Sequence, residues 1–145
     1  MSKSNVFETA LLELVFKNTT FSGVGDATGL PGSATAGSLY FSLHTADPGE
    51  AGDQTTNEVA YTSYARVAVA RSGAGFTVSG NAVAPAANVT FPAGTGGSGT
   101  ATHWGIGTAS SGAGKLLYKG AISPSIVCGS GVTPQLTAGT AVTED

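Results

Sequence analysis

The sequence predicts an all-β fold, a sandwich or barrel of short strands behind one N-terminal amphipathic helix, in a single domain covering residues 1–145. Three observations carry that prediction. Short segments with apolar residues at every second position recur, separated by turn residues every 8–15 positions, which is the rhythm of small antiparallel folds. Glycine supplies 22 of the 145 residues and charged residues only 10%, against roughly a quarter in an average globular protein. Long, charge-decorated surface helices are thereby excluded for most of the chain. Helical periodicity is convincing only in residues 5–17.

In that helix Asn5 is placed to cap the first turn, and Glu8, three residues on, completes a capping-box pattern. Phe7, Leu11, Leu14 and Val15 fall at i, i+4, i+7 and i+8 and define one apolar face. Lys17 and Asn18 suit the C-terminal end, where a cation and a left-handed residue are favoured. Such a short helix is marginal alone, so its apolar face is expected to dock on a partner surface.

Residues 18–37 read as a Gly-rich loop and residues 38–142 as the β-sandwich. SLYFSLH (38–44) sets Leu39, Phe41 and Leu43 against Tyr40, Ser42 and His44 on the opposite face. A polar loop (46–57) follows, and YARVAVAR (64–71) alternates again, with Val67 and Val69 facing away from Arg66. GFTVSGNAVA carries a Gly80–Asn81 turn between two strands, a hairpin signal. NVTF (88–91) is a strand ended by Pro92, and the Gly-rich stretch after it reads as a flexible loop. THWGIGT, KLLYKGAI, SIVCG and the TPQL and TAV pieces of the tail supply the remaining strands. Gly105 and Gly107 alternate with Trp104 and Ile106, so one face of that strand has no side chains. The bare strip marks a bend at a sandwich corner, or a track crossed by a bulky aromatic such as Tyr40 or Tyr118.

Chemistry-bearing patterns are sparse. His44, Asp47, Glu50 and Asp53 are the one cluster worth testing as oxygen ligands for a cation, yet DPGEAGD is also a plain solvated turn and lacks the alternate-position acids of a calcium loop. His103, beside Trp104 on an alternating strand, is expected at the surface, and two histidines on separate strands do not make a zinc site. The single cysteine, Cys128, follows Ile126 and Val127 and reads as a buried small hydrophobe. It excludes both a disulfide framework and a cysteine-based zinc site within one chain. No serine occupies a nucleophile elbow, and the glycine strings match neither a dinucleotide fingerprint nor a P-loop. The expectation is no enzyme, no catalytic residue, no cofactor and no metal.

A net charge of −3 offers no basic stripe for nucleic acid. The apolar start of the chain is interrupted by Glu8 and Glu13 and lacks a cleavage pattern, and no run reaches the roughly 18 apolar residues of a membrane span. Neither membrane nor nucleic acid is therefore an expected partner. A surface of Ala, Ser, Thr and Gly holds little side-chain entropy and little charge repulsion, which favours packing against other protein copies.

The phrase SLHTADPGEAG followed by NEVAYTSYARVAVAR, within residues 39–76, resembles a family of small virion proteins of tailed bacteriophages. HWGIGTASSGAGKLLYKGAI (103–122) and ETALLELVFKNT (8–19) fit the same pattern, so the resemblance spans nearly the whole chain. In size and β content the chain is also similar to jelly-roll capsid cement, or decoration, proteins. The resemblance implies a protein made in the host cytoplasm that sits on the outer surface of the capsid. There it would clamp neighbouring copies of the major capsid protein as a dimer or trimer. A tail or tail-fibre component is the alternative, and a carbohydrate-binding or enzymatic sandwich a distant third. No residue is carried over as a contact. The helix face of Phe7, Leu11, Leu14 and Val15 is the candidate partner-binding surface on the strength of its own periodicity.

Overall fold

The computed structural model describes residues 2–145 and contains, among them, one helix and nine strands. It is mostly β with several antiparallel sheets, consistent with the predicted β-sandwich class. The chain gathers into two compact units built from interleaved stretches: residues 2–38, 69–88 and 137–145 in the first, residues 39–68 and 89–136 in the second. The helix-bearing unit thus takes in a hairpin and the tail as well as the first stretch of the chain.

In the first unit, α1 spans Asn5–Lys17, the span predicted. Its cap lies one residue earlier than expected. Ser4 has extended backbone and its Oγ accepts from the Phe7 N–H, so Asn5 is already helical and Glu8 falls outside the capping-box position. The C-terminal end matches expectation: Asn18 is left-handed (φ 60°) and its N–H bonds back to the Glu13 carbonyl. The buried stripe is rotated from the predicted one, to Glu8, Leu12 and Phe16 at i, i+4 and i+8. Leu12 and Phe16 are fully buried, and the Phe16 ring meets Phe76 edge-on at 5.0 Å between centroids.

Phe76 belongs to the hairpin of β3 (Phe76–Ser79) and β4 (Ala82–Pro85), on which α1 packs. The two-residue connection is Gly80–Asn81, with φ +60° at Gly80. Positive φ at the first turn position is what a type II′ hairpin needs, and glycine supplies it without strain. The strand β9 (Val142–Thr143) adds to the free edge of β4. Residues 18–37 form a loop that is tied down along its length. Asn18 exchanges two hydrogen bonds with the Ser33 backbone, at 2.7 and 2.8 Å, and Phe21 pairs with Leu30. The Arg71 guanidinium then donates to the Leu14, Val15 and Ala36 carbonyls, tying helix end and loop to the strand side. A cation at the exposed carbonyls of a helix C-terminus is electrostatically well placed.

The second unit centres on β1 (Ser38–His44), β6 (Ser98–Gly107) and β7 (Leu116–Gly129), within a sheet ordered β2-β1-β6-β7 whose β2 is Val67–Ala70. Leu39, Phe41 and Leu43 are buried as predicted, as are Trp104 and Ile106 opposite them in register. KLLYKGAI and SIVCG are one continuous strand, not two. Four residues of β7, 122–125, stand opposite the single Thr102 of β6, an irregularity in the ladder that accommodates Pro124 without ending the strand. A small sheet of β5 (Val89–Thr90) and β8 (Gln135–Leu136) completes the unit. The Gly-rich stretch after Pro92 is also pinned: Gly94 pairs with Ser130, Gly96 pairs with Thr62, and Ser98 already belongs to β6.

Candidate functional site

The glycine strip of β6 is where the second unit concentrates its polar side chains. The atoms nearest the strip belong to side chains other than Tyr40 and Tyr118. A methyl group at Gly105 would lie 2.7 Å from Leu116 Cδ1 and 2.8 Å from both His44 Nε2 and Ser42 Oγ. At Gly107 and Gly114 it would collide with the side chain of Gln54. The strip is bare because side chains of β1 and β7 fill the space over Gly105, and Gln54 of the 45–57 loop fills that over Gly107. The loop closes as an extension of β1, through Thr45 N–H to Asn57 O (2.7 Å) and Val59 N–H to Leu43 O (3.0 Å).

His44, Ser42 and Gln54 are fully buried. His44 Nδ1 lies 2.8 Å from the Thr56 carbonyl, which can only accept, so Nδ1 carries the ring proton. Nε2, at 2.8 Å, then accepts from the Ser42 hydroxyl. Burial pushes the imidazole below its ordinary value; the Thr56 carbonyl and Glu58 pull the other way, and Arg66 and His103 add to the lowering. Gln54 Oε1 accepts from Ala109 N–H, while its Nε2 is buried without a partner.

Beside this set, Arg66 grips Glu58 through two bonds of 2.7 Å and donates to the Ala109 and Gly112 carbonyls. Its side chain is only 3% exposed, so the ion pair is largely desolvated, and all three guanidinium nitrogens donate to partners. Tyr64 donates to Glu58 at 2.8 Å and accepts from Leu43 N–H, and burial drives its phenol far above the usual range. Neither Gln54 nor the Glu58–Arg66 pair stands out in the sequence. The polar face position of Arg66 was legible, but its acid lies eight residues away across an irregular segment.

The candidate cation ligands do not converge: among the described residues no group of three metal-binding side chains comes together. His44 turns inward. Asp47 accepts from Gly49 N–H, which with the Lys119 ammonium holds its carboxyl below the usual value. Lys119 also reaches Glu50 at 3.3 Å. Asp53 accepts from the Thr55 N–H and hydroxyl, which lower it similarly. These acids shape turns. His103 is half-buried, with Nδ1 2.9 Å from Thr102 Oγ1, rather than plainly at the surface. Cys128 is buried as predicted, and burial raises its thiol.

In the first unit the predicted partner-binding residues divide. Phe7 is exposed and meets the Phe21 ring edge-on at 5.5 Å. Leu11, Leu14 and Val15 are half-buried. On another side of the helix a groove of about 550 Å³ is lined by Asn5, Val6, Thr9, Ala10, Glu13 and residues 19–22. Val6, 78% exposed, is its most open apolar member, and Glu13 is neutralised by Lys17 at 3.1 Å. The described residues include no helix long and apolar enough to cross a membrane.

One family model, described as podophage GP4 fiber I protein gp80, matches residues 2–143. The comparison with curated proteins found no match.

Proposed function

The chain belongs to the podophage GP4 fiber I protein family, and we propose that it is a structural component of a phage fibre that packs among other virion proteins and carries out no reaction. Membership of a phage virion family makes it a phage structural protein. The observation that carries the finer reading is the match of a fibre family over residues 2–143. It supports the tail-side alternative over a cement protein clamping major capsid subunits on the outer capsid surface. The side chains with chemical potential lend further support. His44, Glu58, Arg66, Asp47 and Asp53 are each occupied by bonds that hold turns, strands and loops in place. The exposed apolar residues at the start of α1, Val6 and Phe7, are the surface offered to neighbouring copies or other fibre proteins. Heads and tails separated from disrupted particles test the placement: mass spectrometry is expected to find the chain in the tail fraction. Recovery with the heads would restore the cement reading and its capsid partner.

A further inference from the structure

A buried titratable residue, His44, is among the groups that fasten the 45–57 loop to the sheet. His44 stands at the end of β1, fully buried, with Ser42 on its own strand and the Thr56 carbonyl of the loop on its two nitrogens. This arrangement accepts one ring proton. A second would go to Nε2, which then no longer accepts from Ser42, so the buried hydroxyl must turn its proton elsewhere and accept instead. Ser42 is itself fully buried, and Ser42, Leu116 and His44 all close over the Gly105 backbone. The charged groups around the ring give no free anion to meet a cation. Glu58 is held by Arg66 on both oxygens, and Arg66 and His103 are themselves unfavourable to a second positive charge. The loop's remaining acids are engaged elsewhere: Asp47 and Glu50 on Lys119 of β7, Asp53 on Thr55.

We propose that His44 is a proton-operated latch: singly protonated, it pins the 45–57 loop over the glycine strip, and doubly protonated, it releases the loop while the sheet stays folded. In the open state the ring meets water and takes its ordinary value of about 6.5; closed, it sits lower. The closed loop is therefore fully favoured above about pH 6.5 and weakens as pH falls toward the closed-state value, the opening constant growing about tenfold per pH unit across that window.

Hydrogen exchange on the full chain, corrected for intrinsic rates and followed from pH 7.5 to 4.5, tests this alongside NMR titration of the two histidines, with His103→Asn to assign them. The latch predicts that His44 titrates below the ordinary histidine value of about 6.5. It also predicts that the amides of Thr45 and Gln54, bonded to Asn57 and Ala113, lose protection about tenfold per pH unit in the same range, while those of α1 and β6 hold theirs. The proposal is overturned if His44 titrates at or above the ordinary value, or shows no titration. It is equally overturned if the loop amides keep their protection, or if α1 and β6 lose theirs in step with the loop.

Discussion

Gly105 shows how a single residue's lack of a side chain sets the second unit's architecture. With no Cβ, β6 lets Ser42, His44 and Leu116 close over its backbone. Gly105→Ala forces those neighbours apart and is expected to lower stability by about 1–3 kcal/mol, as overpacking of a tight interior does. Gly99→Ala, on the same strand with nothing within 4 Å of an added methyl, is the matched control and is expected to be near neutral in the same urea titration. Equal losses at both positions would mean that intrinsic strand preference, not packing, sets the cost. Arg66→Met leaves the Glu58 carboxylate without its partner in a mostly buried site and is expected to cost about 3–5 kcal/mol. Adding Glu58→Gln to it recovers part of that loss, measurable as a double-mutant cycle. Tyr64 gives an alkaline signature. Its phenol is raised in the fold by burial, so the unfolded chain loses that proton first. The Tyr64 contribution is complete below about pH 10 and drains away as pH rises beyond it. A Tyr64→Phe variant is expected to show a flatter decline of melting temperature above pH 10 than the parent.

At the scale of elements, the helix is the instructive case. Its span and its left-handed Asn18 terminus were legible because period, cation and αL residue all act locally. Its buried face was not. Two overlapping apolar stripes exist on α1, and periodicity alone ranks Phe7, Leu11, Leu14 and Val15 above a stripe that begins with a glutamate. The β3–β4 hairpin selects Leu12 and Phe16 instead, through Phe76, a partner 60 residues away that no local pattern announces. The consequence is that α1 is part of its own unit's core as well as a surface. Leu12→Ala is expected to cost about 2–5 kcal/mol and Phe16→Ala about 3–5 kcal/mol. Deleting residues 2–18 is expected to abolish the hairpin's cooperative unfolding rather than release a clean β-domain. A truncated chain with unchanged circular dichroism and melting would show that the helix contributes only to contacts with other proteins. The Gly80–Asn81 hairpin was fully legible, since turn chemistry and alternation agree there. The coverage of the glycine strip at Gly107 was invisible, because its filler there, Gln54, sits in a loop that reads as solvated.

For the molecule as a whole, composition carried the most reliable information. Sparse charge and abundant glycine point to antiparallel strands and a surface suited to packing, and the two units realise the first of these in several small sheets. The interleaving of the units was beyond sequence reading, since it depends on which hairpin and tail return to the helix. The family match narrows the role to a phage structural protein and favours a fibre over a capsid clamp, a distinction that composition and fold class leave open. The measurement that bears on it most directly is electron microscopy of intact particles labelled with gold-conjugated antibody against this chain. Gold along the fibres is the predicted result; gold spread over the head surface would contradict the fibre reading.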